Sequence, residues 1–274
     1  MRVSRSERTA NYVILVAFAL FALIPILTIL QAALGPGDSA GTSAGGDAAF
    51  AGLHLGNFVE AWQVGHFGSY MRMSFMVSAS VVVVSVGLSI LSGFAFGTMR
   101  FRGSTALFYL FLLGIMMPSE AIVVPLYFDL RTLGLTDTFW AVALPQVAQS
   151  VAFGTFWMRA YFRSSSRSLV EAARLDGANP VHIFSKVTLP LLTPTLFFTS
   201  IVGVISALTT FGPIHILTQG GPAGSTQVAV YRIYTEAFIN FRFGYASAQA
   251  VVLFIIILGF SVLQNRLERT VHYQ

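Results

Sequence analysis

The feature that most restricts how this chain can fold is a series of six apolar runs, each about 20 to 25 residues long. An α-helix rises about 1.5 Å per residue, so each run is long enough to cross a hydrocarbon core of about 30 Å. Only 10% of the 274 residues are charged, whereas a soluble domain needs about a quarter to wet its surface. We therefore expect an all-α integral membrane protein with six transmembrane helices, at residues 11–33, 73–97, 106–128, 138–161, 191–213 and 245–265.

Basic residues beside the spans predict the orientation, because Lys and Arg near span ends are retained in the cytoplasm. Four of the 16 basic residues fall on one side of the predicted topology, namely Arg72, Arg131, Arg232 and Arg242. The other twelve fall on the opposite side: Arg2, Arg5, Arg8, Arg100, Arg102, Arg159, Arg163, Arg167, Arg174, Lys186, Arg266 and Arg269.

This charge distribution predicts a multi-pass protein of the cell membrane with both termini in the cytoplasm. We expect a cytoplasmic N-terminus at residues 1–10, a membrane domain at 11–265 and a cytoplasmic tail at 266–274. The first apolar run, from Tyr12 to Leu30, is longer than the apolar core of a usual secretory signal, which favours a retained span.

The chain lacks the residues that several classes of function require. The net charge is +5, but the basic residues border apolar spans without an interleaved aromatic stripe, so nucleic acid is not an expected partner. The chain has no cysteine, and its five histidines lack metal-binding spacing, so we expect no metal site. Its single lysine, Lys186, lies between Ser185 and Val187, which is incompatible with a P-loop for ATP. We therefore expect that the chain is not an enzyme and binds no cofactor itself.

The segment between the fourth and fifth predicted spans has a local pattern of its own. Ser168 and Glu171 have the spacing of a capping box, which predicts the start of a helix. Gly177 can take the left-handed conformation that ends this helix, and Asn179 with Pro180 supplies the cap and first residue of a second one. From the residues alone, the two short helices form either a plug for a partner protein or a hairpin that rests on its own bundle.

The same segment resembles the EAA loop of ABC importer permeases. The resemblance lies in Glu171-Ala172-Ala173, Asp176-Gly177-Ala178, Phe184, Val187, Leu189 and Pro190. It implies a type I ABC importer permease fold in which residues of about 163–190, called the coupling loop below, form cytoplasmic coupling helices that dock on ATPase subunits. The residues that it assigns to this coupling are Glu171, Ala172, Ala173, Asp176, Gly177, Ala178, Phe184 and Pro190. Phe184 is the candidate anchor for a partner's groove.

Further motifs resemble permeases for carbohydrates of the maltose-importer type and for glycerol 3-phosphate. These motifs are Met117-Pro118-Ser119-Glu120, Pro125-Leu126-Tyr127, Leu133-Gly134-Leu135, Leu217–Pro222 with Ser225-Thr226, and Tyr245–Gln249. The resemblance implies that the chain forms half of a path for a sugar or related polar solute. The partners that it implies are a second permease subunit, two ATP-binding subunits that carry ATP and magnesium, an extracytoplasmic substrate-binding protein, and membrane lipid.

The resemblance leaves the chain's place in such a complex open. Ser166 stands where these permeases usually have a proline, so the approach to the coupling loop differs. The front half of the chain resembles one permease subunit of the heterodimer, and the tail resembles the other. The chain could therefore be either of the two permease subunits.

Three polar residues in the predicted spans are candidates for the substrate path: Glu120, Gln146 and Gln149. A carboxylate at membrane depth costs several kcal/mol unless it faces water or a partner, and glutamine amides can both donate and accept hydrogen bonds. Glu120 has two alternative explanations, solvation near the outer interface and pairing with the companion subunit. Hydrogen bonds between helices are the alternative explanation for the two glutamines.

Two features are expected on the outer side. A predicted turn is the candidate docking site for the binding protein, and it consists of Gln219, Gly220, Gly221 and Pro222. Asn57 with Glu60 has the spacing of a capping pair, which predicts a short helix at the outer interface.

Two rival functions stay open. A permease for glycerol 3-phosphate or a glycerophosphodiester would need a cationic pocket, and arginines are scarce within the predicted spans. An ion-coupled secondary transporter would need several ionisable groups in the membrane and a repeated architecture. The chain offers essentially one such group, Glu120.

Overall fold

The computed structural model describes residues 5–35, 54–165, 167–221, 224 and 226–272, and every regular element within these ranges is helical. The α-helices in chain order are α1 (Arg5–Leu34), α2 (Gly56–Gln63), α3 (Phe67–Thr98), α4 (Ser104–Met116), α5 (Ser119–Thr132), α6 (Phe139–Ser164), α7 (Arg167–Leu175), α8 (Pro180–Ile183), α9 (Leu189–Thr209), α10 (Gly212–Leu217), α11 (Ala229–Tyr234) and α12 (Phe243–His272). Two π-helical turns, Phe184–Thr188 and Thr235–Ile239, follow α8 and α11.

The described helices make this a multi-pass membrane protein, as expected. Four are long and apolar enough to cross a membrane: α1, α3, the continuous helix Pro180–Thr209, and α12. The pair of α4 and α5 makes a fifth if it is counted as one broken span. Helix α6 has 26 residues and is also long enough, but its glutamines make it less apolar than the others.

The third predicted span, residues 106–128, is wrong as a single helix. Helix α4 ends at Met116, α5 begins at Ser119, and the two are bent by 101°. Pro118 explains the break, because the residue before a proline is driven out of the helical region, and Met117 has an extended conformation with ψ 124°. Pro125, in contrast, lies inside α5 without ending it.

The fifth predicted span, residues 191–213, is shifted. Its helix begins at Pro180 and ends at Thr209, with no break between α8, the π-helical turn and α9. The π-helical turn ends at Thr188, two residues before Pro190. The missing amide of Pro190 interrupts the ladder of hydrogen bonds, and the π-helical turn lets the helix continue past the proline. Pro213 starts the separate helix α10 instead of bending the span.

The chain divides into two compact units. The first comprises Met1–Gly68 and Arg232–Ile255, and the second comprises Ser69–Tyr231 and Ile256–Gln274. The apolar cluster of the first unit consists of Ala33, Ala248 and Val251 with Leu30 and Phe58 packed against them.

Asn57 has a different role in the first unit from the predicted one. Its side chain does not cap α2 but donates to the carbonyl oxygens of Ala33 at 3.0 Å and Gly35 at 3.1 Å. The amide therefore holds α2 against the end of α1, whose last carbonyls lack partners within the helix.

A buried carboxylate organises the charged side chains of the first unit. Glu236 is 1% exposed, pairs with Arg232 and accepts a hydrogen bond from Asn240 Nδ2 at 3.0 Å. Arg242 lies 4.0 Å from Glu236 and pairs with Glu60. The two arginines offset the cost of burying the carboxylate. Glu60 thus belongs to this network and not to a capping pair with Asn57.

Small residues allow α3 and α6 to pack closely in the second unit. A Cβ atom on Gly93 would lie only 2.3 Å from Cβ of Met158. Ser92 Oγ and Thr155 Oγ1 lie 2.6 Å apart across the same contact. Small side chains and hydrogen bonds between helices are what hold helices together in a membrane, where lipid is as apolar as leucine. This contact sets α6 beside α3, and both helices line the cavity described next.

Candidate functional site

A cavity of about 300 Å³ lies between α3, α4, α6 and α9 in the second unit. Its polar lining consists of hydroxyl and amide side chains: Ser85, Ser89, Ser119, Gln146, Gln149, Ser150, Thr199, Ser206 and Thr210. No charged side chain is among the described residues that line it. We call it the polar cavity. Hydroxyls and amides can each donate and accept hydrogen bonds, so the lining suits a neutral polar solute.

The lining of the polar cavity follows from helical spacing. Ser85 and Ser89 are one turn apart on α3, and Thr199, Gly203 and Ser206 recur on one face of α9. This recurrence of small polar residues is present in the sequence, although it is less conspicuous there than charged and amide groups. This recurrence is the signal that could have found the hydroxyl part of the site.

Gln146 is a buried amide in the lining of the polar cavity. Its side chain is 5% exposed, and Nε2 donates to the carbonyl oxygen of Val142 at 2.9 Å, one turn back on α6. Within the described residues Oε1 has no hydrogen-bond partner. A buried acceptor without a partner costs about 1–3 kcal/mol, and the amide would have to turn toward the cavity to pair it with a solute hydroxyl. Gln149, one turn further along α6, lines the same cavity and is exposed.

Glu120 does not line the polar cavity. It lies in the first turn of α5, is exposed, and accepts a hydrogen bond from Ser119 Oγ at 3.1 Å. A carboxylate in the first turn is also favoured by the helix dipole. The structure therefore brings Gln146 and Gln149 together and leaves Glu120 outside their cavity.

The coupling loop contains the two predicted short helices, α7 and α8. Helix α7 begins at Arg167, so Ser168 already lies inside it. Gly177 has φ +80°, and the amide of Ala178 donates to the carbonyl oxygen of Ala173 at 3.0 Å, which closes a left-handed end to α7. Asn179 Oδ1 accepts from the amide of His182 at 2.7 Å and caps α8. The predicted helix end at Gly177 and the predicted cap at Asn179 are both confirmed.

The underside of the coupling loop rests on its own bundle. Phe184 is half-buried and lines a cavity of about 460 Å³ together with Phe94 of α3 and Phe162 of α6. It therefore lies near this chain's own helices, and its role as an anchor for a partner stays a prediction. Ala173 and Ala178 are half-buried as well.

Several residues of the coupling loop are exposed. Among them are the predicted coupling residues Glu171, Ala172, Asp176, Gly177 and Pro190, and Glu171 also lines the cavity that contains Phe184. Leu175 is 89% exposed and Val181 is 76% exposed, so two large apolar side chains project from the turn between α7 and α8. Neither residue is among the motif residues that carry the resemblance to the EAA loop, so the resemblance does not point to them.

The predicted docking turn is mostly occupied by contacts within the chain. Gly220 is buried with φ +78°, and a Cβ atom there would lie 3.1 Å from the ring of Tyr231. Gly221 donates its amide to the carbonyl oxygen of Thr218 at 2.8 Å. Gln219 is exposed, whereas Pro222 lies outside the described residues.

In the part of the chain that the structure describes, no group of three or more histidine, aspartate or glutamate side chains could hold a metal ion. The chemistry available at the polar cavity is therefore hydrogen bonding by neutral groups.

Known proteins resemble this chain in sequence over about half of their own length. The profile of the family described as "Binding-protein-dependent transport system inner membrane component" matches residues 85–273, which include the polar cavity and the coupling loop. The "sn-glycerol-3-phosphate transport system permease protein UgpA" of Brucella abortus biovar 1 (strain 9-941) is 38% identical over 144 residues, 51% of this chain and 49% of that protein. The protein of the same description from Rhizobium meliloti (strain 1021) is 38% identical over 127 residues, 46% of this chain and 43% of that protein.

Solved structures resemble this chain in fold. A chain in the crystal structure of a bacterial ABC transporter involved in the import of the acidic polysaccharide alginate has a TM-score of 0.76 and 23% identity, over 97% of this chain and 99% of that one. A chain in an inward-facing MetNI methionine ABC transporter has a TM-score of 0.58 and 20% identity, over 76% of this chain and 95% of that one. These likenesses concern the fold alone, and they confirm the expected type I permease architecture.

Proposed function

The chain belongs to the family of binding-protein-dependent transport system inner membrane components, and from this premise we propose that it is a permease subunit of an ATP-driven ABC importer for a sugar or related neutral polar solute. The family is one of transport-system membrane components and not of enzymes, in agreement with the sequence analysis. In such a complex the chain would form half of the translocation path.

The observation that carries the choice of substrate is a cavity lined by hydroxyl and amide side chains, with no charged side chain among the described residues. A sugar presents many hydroxyls, each of which can exchange hydrogen bonds with the lining serines, threonines and glutamines. Phe153 adds an aromatic ring to the lining, which offers a flat apolar surface for the C–H groups of a sugar ring. The cavity volume of about 300 Å³ lies at the lower end of the range for small-molecule sites.

Glycerol 3-phosphate is the second candidate, because it is the solute named in the relatives' description. A phosphate monoester carries about two negative charges and pairs best with arginine. The lining of the polar cavity supplies no arginine, lysine or histidine among the described residues. This solute would therefore depend on cationic groups from another subunit, which makes the neutral solute the better fit to this chain.

Energy for transport would come from partner subunits that bind ATP and magnesium. The chain has no P-loop of its own, and its coupling loop presents exposed Leu175 and Val181 beside the motif that resembles the EAA loop. We propose that these two apolar side chains, which lie on either side of the turn between α7 and α8, are buried in a pocket of a partner subunit. The other partners in the proposal are a second permease and an extracytoplasmic binding protein that docks near Gln219.

Helix continuity supports a mechanical link between the coupling loop and the polar cavity. The loop follows α6 on one side and runs into the unbroken helix Pro180–Thr209 on the other. Both α6 and α9 line the polar cavity, through Gln146 and Thr199 respectively. A displacement of the loop by ATP-driven closure of the partners would thus move cavity walls directly, as a rigid-body switch between two states.

The proposed location is the cell inner membrane, with lipid around the bundle and both termini in the cytoplasm. The asymmetric distribution of arginines supports this orientation, because it leaves the coupling loop on the side where ATP is available.

The test is uptake by proteoliposomes that contain the complete complex as it copurifies with this chain, supplied with its binding protein and with ATP on the side of the ATP-binding subunits. The substrates are a panel of radiolabelled neutral sugars and labelled sn-glycerol 3-phosphate. ATP-dependent uptake of a sugar supports the proposal. Uptake of sn-glycerol 3-phosphate alone would show that the second candidate is the correct substrate. Uptake by this chain alone, driven by an ion gradient, would overturn both.

A further inference from the structure

A second cavity in the second unit is surrounded by arginines and has no part in the proposed path. Its volume is about 620 Å³, and it lies where α3 ends, α4 begins and α6 approaches its last turn. Four arginines line it: Arg100, Arg102, Arg159 and Arg163. We call it the arginine cavity.

The charge of the arginine cavity is not balanced within the described residues. No acidic side chain lines it, and no described carboxylate forms a salt bridge with Arg100, Arg102 or Arg163. Arg159 is held in place by the protein, since Nε donates to the carbonyl oxygen of Phe96 at 3.4 Å and the guanidinium lies 3.6 Å from the ring centre of Phe108. Like charges gathered in one cavity repel one another, so an anion would stabilise the arrangement.

The position of the arginine cavity relative to the spans identifies the kind of anion. Arg100 comes two residues after the end of α3, which is one of the apolar membrane-crossing helices. Exposed apolar side chains border the cavity at Met99 and Phe101, and α4 exposes Leu107 and Leu110 just beyond. A cationic cavity next to exposed apolar surface matches an amphiphile, with its charged head on the arginines and its chains along α4. An acidic segment of a soluble protein would leave this apolar border without a partner.

We propose that the arginine cavity binds the phosphate of an anionic phospholipid headgroup, with the acyl chains lying along α4. The planar guanidinium groups can each grip a phosphate through two parallel hydrogen bonds. The hydroxyls of Ser104 and Thr105, which also line the cavity, add donors at the start of α4. Such a lipid would fix the turn between α3 and α4 at the membrane surface. The inference stands independently of the transported solute.

The experiment uses the full chain in its complex, delipidated in detergent and examined by native mass spectrometry. Three probes are added separately: phosphatidylglycerol, phosphatidylcholine and inorganic phosphate. We expect phosphatidylglycerol to stay bound to the complex and phosphatidylcholine to bind only weakly. Binding should fall roughly fivefold for each arginine removed in Arg100→Gln, Arg102→Gln and Arg163→Gln, which spare the structurally held Arg159. Arg131→Gln, an exposed arginine at the end of α5, is the matched control and should leave binding unchanged.

Each alternative result has a defined meaning. Equal retention of the two lipids overturns the proposal. So does unchanged phosphatidylglycerol binding in the triple variant, which combines Arg100→Gln, Arg102→Gln and Arg163→Gln. Displacement of the lipid by millimolar inorganic phosphate would instead identify a site for a free anion. Loss of a protein subunit with unchanged lipid binding would assign the arginines to an acidic protein partner, which also overturns it. If the triple variant fails to fold, the single variants Arg102→Gln and Arg102→Lys are compared. The proposal requires that Arg102→Gln binds less phosphatidylglycerol than Arg102→Lys does.

Discussion

At the scale of single residues, two glutamines share one local geometry in different surroundings. Gln146 and Gln264 each donate Nε2 to a backbone carbonyl, that of Val142 at 2.9 Å and that of Phe197 at 3.0 Å. Each also has an Oε1 atom without a hydrogen-bond partner in the described part of the chain. Only Gln146 lines the polar cavity. The pair therefore separates the contribution of a buried amide to helix packing from its contribution to solute binding.

We expect Gln146→Met to raise the KM for sugar uptake by up to about tenfold. The substitution nearly conserves volume but removes the acceptor, and one neutral hydrogen bond contributes about 0.5–1.5 kcal/mol. Gln264→Met should leave the KM unchanged. The measurement is the concentration dependence of ATP-driven uptake in proteoliposomes of the complex. An equal rise of KM in both variants would show that the amide acts through packing only.

Gly177 provides a prediction about the end of helix α7. Its φ of +80° is unfavourable for any residue with a Cβ atom, whereas no atom within 4 Å would obstruct one. Gly177→Val should thus strain the backbone by about 1–2 kcal/mol without a steric clash, and Gly177→Asn should be tolerated because asparagine visits this conformation. We expect substrate-stimulated ATP hydrolysis by the complex to fall several-fold in the valine variant and to persist in the asparagine variant. Equal activity of the two variants would mean that the shape of this turn is not required for coupling.

At the scale of helices, the contact between α3 and α6 depends on glycine. Gly93→Ala would place a Cβ atom 2.3 Å from that of Met158, and we expect a loss of stability of about 1–3 kcal/mol from the forced separation. Gly87 lies on the same helix with no atom within 4 Å of an added Cβ. Because alanine favours a helix over glycine by about 0.5–1 kcal/mol, Gly87→Ala should be neutral or stabilising. Thermal unfolding in detergent measures both, and a Gly93→Ala variant as stable as Gly87→Ala would contradict the close packing.

The unbroken helix Pro180–Thr209 gives a prediction about transmission of force. Lys186 is exposed in the π-helical turn between α8 and α9. Lys186→Pro removes an amide and clashes with the preceding turn, at a cost of about 3 kcal/mol, whereas Lys186→Ala retains the helix. We expect the proline variant to hydrolyse ATP with little uptake and the alanine variant to retain the ratio of uptake to hydrolysis. Normal uptake by the proline variant would show that this helix is not the connection.

The prolines show why helices can be predicted from the sequence more accurately than the points at which the helices break. Pro118, Pro125 and Pro194 all lie in apolar runs, yet only Pro118 separates two helices, and the other two remain inside theirs. Each proline removes one backbone hydrogen bond, so the residue type is the same signal at all three positions. Whether the chain bends or stops depends on packing around the proline, which an isolated sequence does not display.

The candidate site was predictable in part for a related reason. Gln146 and Gln149 stand out because amides are rare in apolar spans. The hydroxyls do not, because a serine or threonine in a helix satisfies itself on the preceding turn, as Thr199 does on the carbonyl oxygen of Thr195 at 2.9 Å. Thr209 makes the same bond to Ile205 at 2.8 Å and does not line the polar cavity. Only the assembled helices distinguish the two threonines.

At the scale of the whole molecule, the coupling loop has both half-buried and exposed apolar side chains. Phe184 lines a cavity with Phe94 and Phe162, while Leu175 and Val181 are exposed and do not line it. The residues alone left open a hairpin resting on its bundle and a plug for a partner, and the exposed Leu175 and Val181 allow the second alternative to be tested. These two exposed side chains lead to a prediction about assembly with the ATP-binding subunits.

We expect the double variant Leu175→Ala, Val181→Ala to retain the ATP-binding subunits at least about tenfold less well during copurification. Burial of one such side chain in a partner contributes about 1.5–3 kcal/mol, and truncation removes most of it. The fold of this chain should be unaffected, because both side chains are exposed in it. Leu133→Ala is the control, since Leu133 is 69% exposed after α5 and lies outside the coupling loop. If the double variant keeps its ATP-binding subunits as firmly as the control, docking does not use the apolar tip of the loop. Glu171 and the other exposed motif residues would then have to supply the contact by polar interactions alone.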